Sequence, residues 1–188
     1  MTRRIAALVA AIVVSTSAVA HNRAEVRGPD AFDETLLRID EGRYLGQPIA
    51  AVDVRTETRT VPLLELARGE PLVLLLGYYS CHGACPTTIR NLAQALAQVR
   101  GGPSHQVAVL SFDSNDTLET MRTARADLGE APPEWNFGLL DRDAATRLTE
   151  SVGYRFQYSE RDQAFLHPSV LIFVSPAGRV MRYLYGVA

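Results

Sequence analysis

Two cysteines, Cys81 and Cys85, stand between an apolar run and an amphipathic one, and the chain has no others. The run Pro71-Leu72-Val73-Leu74-Leu75-Leu76-Gly77 reads as a buried strand. After it, Ile89, Leu92, Ala93, Leu96 and Val99 recur at steps of three and four, the period of a helix that lays one face on a sheet. The thiols therefore lie where a strand hands over to a helix. Proline favours the first turn of a helix, so Pro86 sets Cys85 at or just before the helix start and leaves Cys81 on the loop leading in. Unpaired backbone N–H groups and the positive end of the helix dipole favour thiolate over thiol at such a place.

Cysteines four residues apart can also close a disulfide, provided the turn brings their Cα atoms within about 7 Å. A structural bridge is the common fate of a cysteine pair in a secreted chain. Closing roughly five residues, however, stabilises a fold by only about 2 kcal/mol, against nearly 5 kcal/mol for a loop of about a hundred. A functional dithiol is the favoured reading and a structural bridge the alternative.

Export is written in the first 20 residues. Arg3-Arg4 precede an apolar run from Ile5 to Val14, and Ser15-Thr16-Ser17 leads into the small triplet Ala18-Val19-Ala20. These are the three parts of a secretory signal peptide, with cleavage after Ala20. An uncleaved membrane anchor competes with this, but a spanning helix needs about 20 apolar residues and the run is shorter. The expected organisation is a signal peptide over 1–20, a partly disordered arm over 21–44 and one domain over 45–188, located in the periplasm or another extracytoplasmic space. Loss of Arg3 and Arg4 leaves 17 basic against 21 acidic residues, a net charge of −4, and no basic patch that would suit nucleic acid. His21 would become the new amino terminus, either a copper chelate or part of a disordered arm.

Further along, strands alternate with helices. Strands are expected at Gln106 to Phe112 and Asn136 to Leu140, with helices after Pro86, up to about Leu128, and from Asp143 to Val152. This is the pattern of an α/β fold whose sheet is parallel at its centre. Val52-Asp53-Val54 with Thr58 to Val61 reads as an N-terminal hairpin, and Ser169 to Val174 with Arg179 to Tyr185 as a C-terminal antiparallel one around Ser175-Pro176-Ala177-Gly178. A short helix within Ala31 to Glu41 and an edge strand at Tyr154 to Tyr158 complete the expectation.

Soft thiolates select soft ions, chiefly copper(I), and imidazole suits copper in both oxidation states. Two sulfurs and one nitrogen make a copper set, and His167 is the leading third ligand. It ends a polar loop and starts a strand, and Pro168 restricts it to extended backbone. The alternative is a structural loop histidine. His82, between the cysteines, is a spare ligand, a group that lowers the thiol pKa, or a solvent-facing residue; His105 reads as surface. Asp113 ends the strand next to the one feeding the thiols, which suits a proton-handling or supporting role behind the ligands; an N-cap for the following helix or simple turn chemistry is the alternative. Asp116 is the expected helix cap, with Glu119 three residues beyond it as in a capping box. Zinc is the rival metal and a peroxidatic cysteine the rival chemistry. Zinc needs a fourth protein ligand or a general base, and Tyr78 and His82 stand where a peroxiredoxin has its threonine.

From about Leu45 to Gly186 the chain resembles the SCO/SenC family of copper-binding, thioredoxin-like proteins of cytochrome c oxidase assembly. The resemblance rests on Cys81-x-x-x-Cys85-Pro86 opening a helix, followed by Thr87-Thr88, and on His167 ahead of the final hairpin with Ser175-Pro176-Ala177-Gly178-Arg179. Where the family has an Asp-Pro element, this chain has Asp113-Ser114. The resemblance implies a thioredoxin-like fold, with a central mixed sheet flanked by helices. It implies that Cys81, Cys85 and His167 bind copper(I) or copper(II), and that the cysteines cycle between dithiol and disulfide. The implied role is a periplasmic copper chaperone that delivers copper to the dinuclear copper centre of an oxidase subunit. A thiol–disulfide reductase for that subunit's cysteines, or a copper or redox sensor, are the alternatives. Partners would be the copper-bearing oxidase subunit and another periplasmic copper carrier or thiol reductant.

Overall fold

The apolar run becomes the strand β3 (Leu72–Gly77), buried along its whole length. The computed structural model describes residues 34–81, 84–99, 104–127 and 135–186, all within the unit Phe32–Ala188. The expected signal peptide, His21 and His82 lie outside the described residues.

β3 belongs to a seven-stranded sheet with β1 (Asp53–Arg55), β2 (Thr60–Pro62), β4 (Gln106–Ser111), β5 (Asn136–Leu139), β8 (Val170–Val174) and β9 (Val180–Tyr185), in the order β2-β1-β5-β4-β3-β8-β9. β3, β4 and β5 run parallel at the centre. The hairpin of β1 and β2 adds to β5 through Arg55 and Leu139, and the hairpin of β8 and β9 adds to β3. The expected parallel centre with an antiparallel hairpin at each end is observed.

Alternation along β3 divides the core. Leu72, Leu74 and Leu76 pack with Ala144, Ala145 and Leu148 of α5 (Arg142–Ser151) and with Leu63 and Leu66 of α2 (Leu63–Leu66). Val73 and Leu75 pack with Ile89 and Leu92 of α3 (Ala84–Gln98) and Met121 of α4 (Leu118–Asp127). A strand covered on both faces has no solvent side, which is why its sequence shows no polar alternation. Among the described residues no helix is long and apolar enough to cross a membrane.

Strand direction decides what meets at the site. β4 lies parallel to β3, with Gly77 opposite Ser111, so the loop Phe112 to Thr117 emerges at the end where β3 releases the chain toward Cys81. β8 runs antiparallel to β3, with Leu75 opposite Leu171. The residues that precede β8, His167 and Pro168, therefore arrive at that same end.

Three local expectations are corrected. The short helix sought within Ala31 to Glu41 is instead a 3-10 turn at Glu34–Leu37 followed by a separate helical turn, α1 (Glu41–Tyr44). Buried Ile39 lies between them, its amide donating to Tyr185 Oη at 3.1 Å, which draws the chain out of the helix. The edge strand sought from Tyr154 begins only at Gln157. It is β6 (Gln157–Ser159), paired with β7 (Ala164–Leu166) in a two-stranded sheet of its own, because the polar turn between them folds back with Gln163 at φ 50. The cap of α4 is Thr117, not Asp116: Thr120 N–H donates to Thr117 Oγ1 at 3.2 Å and Thr117 N–H to Thr120 Oγ1 at 2.8 Å, a reciprocal box one residue later.

Gly138 of β5 has no room for a side chain. A Cβ there would collide with Val54 Cγ1 and lie 3.2 Å from Leu110 Cδ2. Gly138→Ala is expected to lower stability by about 1–3 kcal/mol through overpacking, read as an earlier urea midpoint at unchanged slope. A wild-type midpoint would refute the clash.

Candidate metal centre

The loop that carries the first thiol is tied down from both faces of the sheet. Tyr78 packs with the α5 side of the core and Tyr79 with the α3 side, as successive residues of an extended segment do. Tyr79 Oη lies 2.7 Å from Val109 O and 2.9 Å from Gly138 O, and accepts from Gly138 N–H at 3.0 Å, so one phenol joins the loop to β4 and β5. Burial pushes that phenol far above its usual range, and it stays a neutral hydrogen-bond donor.

Asp116 holds the next two amides. Its carboxylate accepts from Tyr79 N–H, from Ser80 N–H at 3.1 Å, from Ser111 Oγ at 2.6 Å and from Thr120 Oγ1 at 3.2 Å. Cys81, half-buried, is the next residue along. α3 begins at Ala84, so Cys85 is its second residue and Pro86 its third, the first-turn place expected for that proline. The side chain of Cys85 lies outside the described residues.

His167 follows β7 directly, in an aromatic box. Its ring meets Tyr78 edge-on at 5.9 Å and Phe112 edge-on at 5.6 Å, and stacks on Tyr154 at 6.0 Å and 28°. Nδ1 lies 2.7 Å from Tyr154 Oη and 3.1 Å from Pro168 O. Burial lowers the pKa of the ring, against the opposing pulls of the Pro168 carbonyl and of Cys81. At neutral pH it is thus the uncharged imidazole, the form that ligates a metal.

Cys81 and His167 line one cavity of about 600 Å³, together with Ser80, Thr88, Phe165 and Pro168. Two of the three expected ligands are therefore brought together from opposite halves of the chain. Among the described residues no group of three His, Cys, Asp or Glu side chains forms a metal-holding cluster; the expected trio counts Cys85, beyond that description. Asp113 does not line the cavity: its Oδ1 accepts from Asn115 N–H at 2.9 Å and Asn115 Nδ2 at 3.0 Å, within its own turn. His105 lies just before β4, at the end of the sheet away from Cys81.

Two residues the sequence reading did not assign to the site emerge, Tyr154 and Asp116. The signal for Asp116 was its place in the loop after β4, the same argument that put Asp113 forward. Tyr154 follows Gly153 at the end of α5, which marks a helix stop but not a phenol's target.

The SCO1/SenC family model matches residues 56–187, and no curated protein matches the sequence. Among solved structures, a putative electron transfer protein from Aquifex aeolicus VF5 is 25% identical, with a TM-score of 0.68 over 76% of this chain and 85% of its own. ScoI of Arabidopsis thaliana with copper bound is 17% identical, with a TM-score of 0.63 over 73% and 87%. BsSco, a member of the Sco family of cytochrome c oxidase assembly proteins in which a disulfide switch was identified, is 16% identical, with a TM-score of 0.61 over 77% and 86%. These likenesses carry the thioredoxin-like fold. The family match runs from before β2 to beyond β9 and takes in both cysteines, the Asp116 loop and His167, and by it the chain belongs to the SCO1/SenC family.

Proposed function

We propose that the protein is an extracytoplasmic copper carrier. It takes one copper ion as cargo between Cys81, Cys85 and His167 and passes it to the copper-bearing subunit of cytochrome c oxidase. The observation that carries this reading is that Cys81 and His167, from opposite halves of the chain, line one cavity. Two thiolates and an imidazole suit copper(I) and copper(II) better than harder ions. A three-coordinate ion also leaves a position for a ligand from the acceptor, so cargo passes by ligand exchange. Copper in Arabidopsis ScoI and the oxidase-assembly family of BsSco support the cargo and the acceptor. The signal-peptide pattern of residues 1–20 supports the compartment.

Anaerobic titration of the reduced chain with copper(I), followed by X-ray absorption, tests the site. The expected result is one ion per chain with two sulfurs and one nitrogen bound. A shell of sulfur alone refutes the assignment of His167.

A second reading has its own support. Cys85 lies in the first turn of α3, where the helix dipole favours thiolate, and four-residue spacing suits a reversible disulfide. On that reading the pair reduces cysteines of the acceptor, two electrons and two protons passing to the acceptor's disulfide as Cys81 and Cys85 form their own. That reaction has no need of His167.

A further inference from the structure

We propose that Tyr154 is the residue that aims His167: its phenol fixes the imidazole as the Nδ1–H tautomer, so that Nε2 is the atom offered to the cargo. The word cargo rests on the copper-carrier reading above; the tautomer does not.

Three polar contacts run in series. Pro168 O lies 3.1 Å from Nδ1 of His167, Nδ1 lies 2.7 Å from Tyr154 Oη, and Tyr154 Oη lies 2.9 Å from Leu76 O. The two carbonyl oxygens at the ends only accept. The hydrogen in the Leu76 contact therefore comes from the phenol and the hydrogen in the Pro168 contact from Nδ1. With its single proton directed at Leu76, the phenol oxygen accepts from Nδ1–H, which it shares with Pro168 O, so two hydrogens serve the three contacts. The opposite tautomer brings one hydrogen to three contacts and turns the Nδ1 lone pair toward Pro168 O. A ring nitrogen whose partner atom is so fixed leaves the other nitrogen as the ligand, the arrangement by which outer hydrogen bonds orient a metal-binding histidine.

The phenol does more than set a tautomer. Leu76 belongs to β3, whose continuation carries Cys81, so the chain of contacts joins the histidine arm of the site to the thiol arm. Tyr154 is itself placed by the end of α5. Gly153 takes φ 67, its N–H donates to Glu150 O at 3.2 Å, and Tyr154 N–H donates back to Thr149 O at 2.8 Å, a left-handed helix stop that turns the next side chain inward. A Cβ at Gly153 would also collide with the ring of Tyr44. Tyr154 is then buried against the sheet, only 2% exposed.

The test reads the ring directly. Nitrogen-15 NMR of the reduced, metal-free wild-type chain, at a pH where the imidazole is neutral, is expected to show His167 protonated at Nδ1. Tyr154→Phe is expected to shift the ring toward a mixture of tautomers and to weaken copper(I) binding about tenfold to a hundredfold, with a less ordered nitrogen signal in X-ray absorption. A wild-type ring protonated at Nε2 overturns the proposal, and that measurement needs no variant to fold. So does a Tyr154→Phe chain whose tautomer and nitrogen signal match wild type. A wild-type chain with the Nδ1–H ring that takes up no copper supports the lock and refutes the carrier reading.

Discussion

Asp116→Ala is expected to destabilise the fold by about 3–5 kcal/mol and to weaken copper binding, although Asp116 is no ligand. Its carboxylate is the shared acceptor for two successive backbone amides, Tyr79 and Ser80, and for two hydroxyls, Ser111 and Thr120. The hydroxyls can turn to other acceptors. The amides cannot, because the loop is pinned one residue away by the buried phenol of Tyr79. Both amides are part-buried, and a donor left unsatisfied away from water costs about 1–3 kcal/mol, more where its partner was charged. In a domain of this size the loss should lower the melting temperature by on the order of 10 °C. Asp116→Asn keeps the shape but turns an NH2 toward other donors, so it should fall between alanine and wild type. Since Cys81 directly follows the gripped amides, copper affinity should drop with stability, measured at a temperature where the variant remains folded. A melting temperature within two or three degrees of wild type would refute the account of the loop.

The sequence was most legible where one strand's burial and one helix's stripe carried the information. Leu72 to Gly77 could only be an inner strand, and Ile89 and Leu92 could only face it, so the placement of the cysteines followed from periodicity. His167 was legible as the end of a polar loop and the start of a strand, with Pro168 behind it; that this strand runs antiparallel to β3, which returns the ring to the end where β3 stops, the structure supplies. The rest was not legible, because it depends on hydrogen bonds between segments far apart in the chain. Nothing in the run Ser111-Phe112-Asp113-Ser114-Asn115-Asp116 says which carboxylate turns inward. Asp113 closes its own turn on Asn115 while Asp116 reaches the thiol loop. The same holds for Tyr154, whose hydroxyl reaches Leu76 and His167, on either side of it in sequence. Pattern reasoning also took Tyr154 for a strand residue, since an aromatic near a strand carries the same signal whether its hydroxyl is used or not.

His167→Ala separates the two functions open to this site, and its effect on metal should be the larger of any single change that spares the thiols. The imidazole is the third donor of the proposed set, so its loss leaves copper(I) between two sulfurs and should weaken binding by about a hundredfold or more, roughly 3 kcal/mol. It should also slow binding's selectivity for copper(II), which draws more on nitrogen donors than copper(I) does. The dithiol chemistry should change less than metal binding, because the loop geometry rests on Asp116 and Tyr79 and the thiolate preference on the helix dipole at the start of α3. The variant should remain folded: His167 is only partly buried, and the box of Tyr78, Phe112 and Tyr154 keeps its own ring contacts, Tyr78 to Phe112 at 6.0 Å and Phe112 to Tyr154 at 5.9 Å. A carrier without its third ligand delivers little, so cells relying on His167→Ala should assemble an oxidase poor in copper, as with Cys81→Ser. If His167→Ala supports full oxidase activity while Cys81→Ser does not, the site works on electrons rather than on the ion, and the carrier reading falls.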